Sequence, residues 1–178
     1  RIVRAVNSLL PQDIVVVAAG EADFDFSARH SAKSKTYSYR IQQGEAPNPM
    51  TARYAWYIRR PLDLGAMREA LNIILGTHDF SAFRASGGAP MSPVRTMYDV
   101  SLQEIGGGQL ECRIHGSGFL YHMVRNIIGT LASVGLGYIT PAGFQKILEG
   151  RDRTKAPATA PACGLFLDSV DYGSAFHF

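Results

Sequence analysis

The sequence predicts an α+β fold, a mostly antiparallel sheet flanked by helices, and three observations carry that prediction. Short runs with strand-type alternation are interleaved with a few capped helical stretches. The triplet Gly106-Gly107-Gly108 separates two alternating runs, 94–104 and 109–117, at the distance a hairpin needs. The connections are short and turn-like, which disfavours a doubly wound parallel sheet with long crossovers.

Taken in order, residues 2–10 have amphipathic helical spacing, with neither an initiator Met nor a cap before them, so the chain is expected to start in mid-element. Ile14-Val15-Val16-Val17 has the β-branched content of a buried strand. Residues 34–42 alternate aromatic with small or polar groups and predict a strand, and Tyr54–Ile58 predicts another. Pro61-Leu62-Asp63 offers a helix cap, Met67, Leu71, Ile74 and Leu75 recur at helical spacing, and Gly76 is the expected stop. His78-Asp79 then reads as a helix terminus and turn.

The strongest helix is expected from about 120 to 135. Met123, Ile127, Leu131 and Val134 form its apolar stripe, and His122, Arg125, Asn126 and Gly129 form a second, polar stripe at i, i+3, i+4, i+7. Thr140 with Pro141 starts a further helix running to about Gly150, and Gly164–Val170 supplies a last strand.

Composition narrows the function classes. The 178 residues carry 18 Lys and Arg against 15 Asp and Glu, a mild net charge of +3, so placement matters more than total charge. Two cysteines, Cys112 and Cys163, are too few for a secreted disulfide scaffold and point to a reducing cytoplasm, with Cys112 in the core. No apolar run approaches the roughly 20 residues of a membrane-crossing helix, and a soluble chain is expected.

Three stretches could carry chemistry. On the polar stripe, Arg125 can donate several hydrogen bonds to a carboxylate or phosphate, and Gly116-Ser117-Gly118 before it would let backbone lie close to a ligand. A solvated helix face and a plain strand-to-helix turn are the competing structural readings. In 29–40, five basic residues interleave with Tyr37 and Tyr39, a pattern suited to phosphate tracking and base stacking, or to a protected edge strand. Thr77–Ala85 holds a His-Asp pair between helix and aromatic residues. The histidines at 30, 78, 115, 122 and 177 have no HExxH or paired Cys/His spacing, so no metal is expected. No Gly-x-Ser-x-Gly elbow or phosphate-cradling loop occurs.

Together, Ser8–Pro11, Phe26-Ser27-Ala28-Arg29, Lys35-Thr36-Tyr37, Asp79–Arg84, His122–Asn126 and Gly164–Leu167 resemble, in order and spacing, the A family of tRNA pseudouridine synthases. The resemblance implies an enzyme that isomerises uridine to pseudouridine in the anticodon stem-loop of tRNA, without metal or cofactor, as a homodimer. It implies catalytic roles for Tyr37, which would contact the target base, and Arg125, which would pair with a catalytic aspartate. Arg29, Lys35, Arg84 and His122 would face the RNA.

The family's aspartate motif, of the type Gly-Arg-Thr-Asp-Ala-Gly-Val-His, does not occur here. The resemblance places it upstream, so that 1–22 would be the remainder of an N-terminal half, 23–178 the C-terminal half-domain, and the chain alone inert. Ser27 departs from the family pattern, which often has histidine before Ala-Arg. The alternatives are a non-catalytic RNA-binding module and a metal-dependent hydrolase built on His78, Asp79 and His122.

Overall fold

The structure, a computed structural model, describes residues 1–173. These form two compact units: Ser34–Val170, and Arg1–Lys33 together with the described residues from Asp171.

The larger unit is built on a mixed, mostly antiparallel sheet. Its strands are β1 (Ser34–Gln42), β2 (Trp56–Tyr57), β3 (Gly76–Asp79), β4 (Val94–Gly106), β5 (Gln109–Gly116) and β6 (Leu165–Asp171). They are ordered β2-β1-β5-β4-β3, with β6 also pairing to β1. The short β2 runs parallel to β1; β1/β5, β5/β4 and β4/β3 are antiparallel. Gly106, Gly107 and Gly108 all take positive φ (90°, 59° and 74°), the backbone that closes the β4–β5 hairpin and that L side chains disfavour.

Alternation along β1 and β5 sends Tyr39, Ile41, Leu110, Cys112 and Ile114 to a buried face. Helix α1 (Ile2–Asn7) belongs to the smaller unit, while α2 (Leu64–Asn72), α3 (Met123–Gly135) and α4 (Pro141–Gly150) contribute Met67, Leu71, Ile127, Leu131, Phe144 and Leu148 to the core of the larger one. Each such aliphatic side chain, fully buried, stabilises by about 1.5–3 kcal/mol before conformational entropy is subtracted. The caps work as the sequence suggests: Asp63 accepts from Ala66 N, and Thr140 accepts from Gly143 N.

Four expectations change. Ile14–Val17 has no ladder partner among the described residues, and Ile14, Val15 and Val17 are exposed, Val17 at 89%. The Asn7 side chain holds it, accepting from Val16 N and donating to Val16 O, both at 2.8 Å. β-branched content favours extended backbone but cannot supply a pairing strand. The Tyr54–Ile58 strand shrinks to two residues, because its neighbour β1 offers only Ile41 and Gln42. Helix α2 ends at Asn72, ahead of Gly76.

His78 and Asp79 are not a helix terminus but lie in β3, recruited by pairing with Arg95 and Val94 of β4. The Asp79 carboxylate still makes a turn, accepting from Ser81 N and Oγ at 2.9 and 2.6 Å to start the 3₁₀ turn Ser81–Phe83. His177, counted above, lies outside the described residues, as do the last residues of the 23–178 half-domain.

Candidate active site on the sheet and helix α3

Eleven of the thirteen residues of α3 are buried, so this helix passes through the interior and does not float on it. The competing reading of the polar stripe as a solvated face therefore fails at Asn126 and Gly129. Asn126, 0% exposed, and Gly129 are covered by the segment 156–161, which is neither strand nor helix. Pro157 and Pro161 keep that segment out of helix, and its small residues let it lie flat. At Gly129 a Cβ would fall far inside 3.0 Å of the Ala158 carbonyl oxygen, so glycine is what lets the two backbones touch.

The Asn126 amide is the hub of this arrangement. Its Oδ1 accepts from Thr159 Oγ1 at 2.6 Å and from Arg153 Nη2 at 3.1 Å, and its Nδ2 donates to the Phe83 carbonyl at 2.7 Å. Arg153 also donates to Thr159 Oγ1 at 3.1 Å and to the Ala156 carbonyl at 2.9 Å. A buried amide is tolerated because its oxygen and its nitrogen both have partners.

Arg125, the next residue, is half-buried and clasped by the same segment. Its Nε donates to the Ala160 carbonyl at 2.7 Å while Ala160 N donates to the Arg125 carbonyl at 3.1 Å. Its Nη1 lies 3.4 Å from His122 Nε2. None of the ion pairs among the described residues involves Arg125. His122 itself holds a left-handed backbone (φ 56°) at the start of α3, a conformation that costs a non-glycine residue about 1–2 kcal/mol, and its ring stacks on Tyr121 at 4.0 Å.

Tyr37 lies on β1 opposite Ile114, on the same face as Tyr39. Its ring meets Phe119 edge-on at 5.0 Å, and burial raises the pKa of its hydroxyl, so it stays protonated at neutral pH. Tyr39 is fully buried and donates to the Pro161 carbonyl at 2.7 Å. Its pKa is raised by burial and by Cys163, against the opposing pull of the Arg125 charge.

The remaining candidates divide. Lys35 stands half-buried on β1 opposite Gly116. Arg84 donates to the Ala89 and Met91 carbonyls at 3.0 and 3.3 Å, holding the 85–93 loop, whose Gly88 lies against Tyr121. Arg29 is exposed in the smaller unit. Arg95, not singled out from the sequence, packs near Gly118, and its pKa is lowered by burial and then by the like charge of Arg84. Its place at the start of β4, opposite the glycine-rich end of β5, was the available signal. Among the described residues no group of three or more His, Cys, Asp or Glu could hold a metal ion.

A strand tyrosine and a helix-borne arginine, with Arg84 and Arg95 around the 85–93 loop, are groups able to contact a base and an anion. The comparisons identify the chain's family. A family model described as tRNA pseudouridine synthase matches residues 70–173. The chain is 45% identical over 168 residues to the tRNA pseudouridine synthase A of Thermoanaerobacter sp. (strain X514), covering 94% of this chain and 68% of that protein. It is 45% identical over 175 residues to that of Chromobacterium violaceum, covering 98% and 66%, and 41% identical over 173 residues to that of Limosilactobacillus reuteri, covering 96% and 67%. The chain belongs to the tRNA pseudouridine synthase family.

Proposed function

We propose that this chain provides the Tyr37 and Arg125 side of a cleft in which a uridine of the tRNA anticodon stem-loop is isomerised to pseudouridine, with no metal or organic cofactor. The carrying observation is Arg125: a half-buried guanidinium, aimed by Ala160 and without an acidic partner among the described residues. Such a group favours the ionised form of an incoming carboxylate, the state a nucleophilic aspartate needs. Tyr37 offers a protonated ring as a contact for the target base.

Lys35, Arg84 and His122 supply positive or hydrogen-bonding groups for phosphates. The protein acts on tRNA in the cytoplasm as a homodimer. No helix among the described residues is long and apolar enough to cross a membrane.

The test is tritium release from uridine-labelled tRNA under single-turnover conditions with the encoded full-length protein and its Arg125→Ala variant. Loss of a group that stabilises the reacting state should slow conversion by roughly 10²–10³-fold. An unchanged rate at saturating tRNA would refute the pairing role. Binding of tRNA with no turnover by the unaltered protein would favour the RNA-binding module.

A further inference from the structure

The catalytic reading gives Arg125 a task but does not say what aims it. An arginine side chain has about 2 kcal/mol of rotamer freedom, and a guanidinium that must meet a carboxylate gains little if it wanders. One of its nitrogens is tied to the Ala160 carbonyl, and Ala160 N is tied back to the Arg125 carbonyl. This clasp is only as well placed as Ala160, whose segment has no strand or helix of its own.

Thr159, one residue earlier, locates it. Its hydroxyl donates to Asn126 Oδ1 at 2.6 Å and accepts from Arg153 Nη2 at 3.1 Å, and Arg153 reaches Asn126 Oδ1 as well. The three groups form a closed ring over the helix turn that carries Arg125. Asn126 Nδ2 extends the ring to the Phe83 carbonyl, adjacent to Arg84.

We propose that the Thr159–Asn126–Arg153 ring positions Arg125, so that Thr159 sets the reaction rate through the arginine and touches no substrate. This rests on the catalytic reading above. Removing the hydroxyl lets residues 158–160 drift, lengthens the bond from Arg125 Nε, and leaves the guanidinium charged but unaimed.

The experiment uses Thr159→Val, which removes the hydroxyl at nearly constant volume, in the encoded full-length protein. Thr159→Ala serves the same purpose should the valine fail to fold. The single-turnover rate should fall about ten- to hundredfold, while the Kd for tRNA stays within about twofold and Thr159→Ser restores most of the rate. In an Arg125→Ala background the same substitution should change the rate by less than about twofold, since its route of action is gone.

Hydrogen exchange at Arg125 Nε, followed by NMR, supplies a readout independent of turnover and should accelerate about tenfold or more in Thr159→Val. Equal losses of rate with and without Arg125, or unchanged exchange at Nε, would overturn the proposal. If the unaltered protein forms no pseudouridine, the catalytic reading falls and the exchange measurement alone decides whether Thr159 positions Arg125.

Discussion

Replacing Gly129 by alanine sets two opposed effects against each other inside α3. Intrinsic helix propensity favours alanine by about 1 kcal/mol at an interior position. Packing opposes it, because the new methyl would overlap the Ala158 carbonyl oxygen and lie 3.2 Å from Ala160 N, both backbone atoms that cannot rotate away. Relief requires the segment to retreat by roughly 1 Å, which stretches the bond from Ala160 N to the Arg125 carbonyl and the charged bond from Arg125 Nε to Ala160. Losing a neutral bond costs about 1 kcal/mol and a charge-assisted one about 1.5–3. After the propensity gain is subtracted, the net effect is a destabilisation of about 1.5–3 kcal/mol. With a urea slope of about 2 kcal/mol per M, the unfolding midpoint should fall by about 0.8–1.5 M without a change in slope. A midpoint equal to or above that of the unaltered protein would mean that the segment does not press on Gly129, and the account of Arg125's placement would fail with it.

Three further outcomes are expected. Tyr37→Phe, which keeps the ring against Phe119, should retain more single-turnover activity than Tyr37→Ala; equal rates would deny the ring a part. Burial opposes ionisation of Asp79, but hydrogen bonds from Ser81 and the charge of Arg151 at 3.5 Å outweigh it and hold its pKa below the ordinary 3.8. Its contribution to stability is therefore present above that value and lost as pH falls through the lower folded-state pKa, so urea midpoints measured across this acid range should fall less steeply for Asp79→Asn. Cys112 is buried, and its thiol is pushed up to about 12 by burial and by the Glu111 charge, whereas Cys163 is partly exposed. Iodoacetamide at neutral pH should label Cys163 first and reach Cys112 only on unfolding, which peptide mass spectrometry would read.

The elements that were legible in the sequence are those whose cause is local. Alternation marks β1, β4 and β5, three glycines mark their turn, and Asp63 and Thr140 mark helix starts, because each signal sits within a few residues of its effect. Ile14–Val17 and His78-Asp79 were misread because strand identity depends on a partner elsewhere: β4 supplies one to His78, and none of the described residues supplies one to Val15. The site divides the same way. Tyr37 and Arg125 stood out as an aromatic in a basic strand and a cation on a helix, but the partners of Asn126 lie 27, 33 and 43 residues away. A periodic stripe shows that a helix has a second face and says nothing of what lies upon it. Arg95 was hidden for a related reason, since the charge that marks it, Arg84, comes from another element.

The hub at Asn126 also imposes an order of assembly. In any chain made from its N-terminus, Asn126 is added 33 residues before the Thr159 that meets it. Until then the amide oxygen must be served by water, so the helix face at Asn126 stays wet. Phe83 can already hold the other end of the amide, so α3 and the 81–83 turn can dock first and wait. Closure of residues 153–160 then expels the water and stills Arg125 in one event. On the ribosome, the guanidinium can acquire its direction once β1–β5 and helices α2–α4 have been made, before β6 is added.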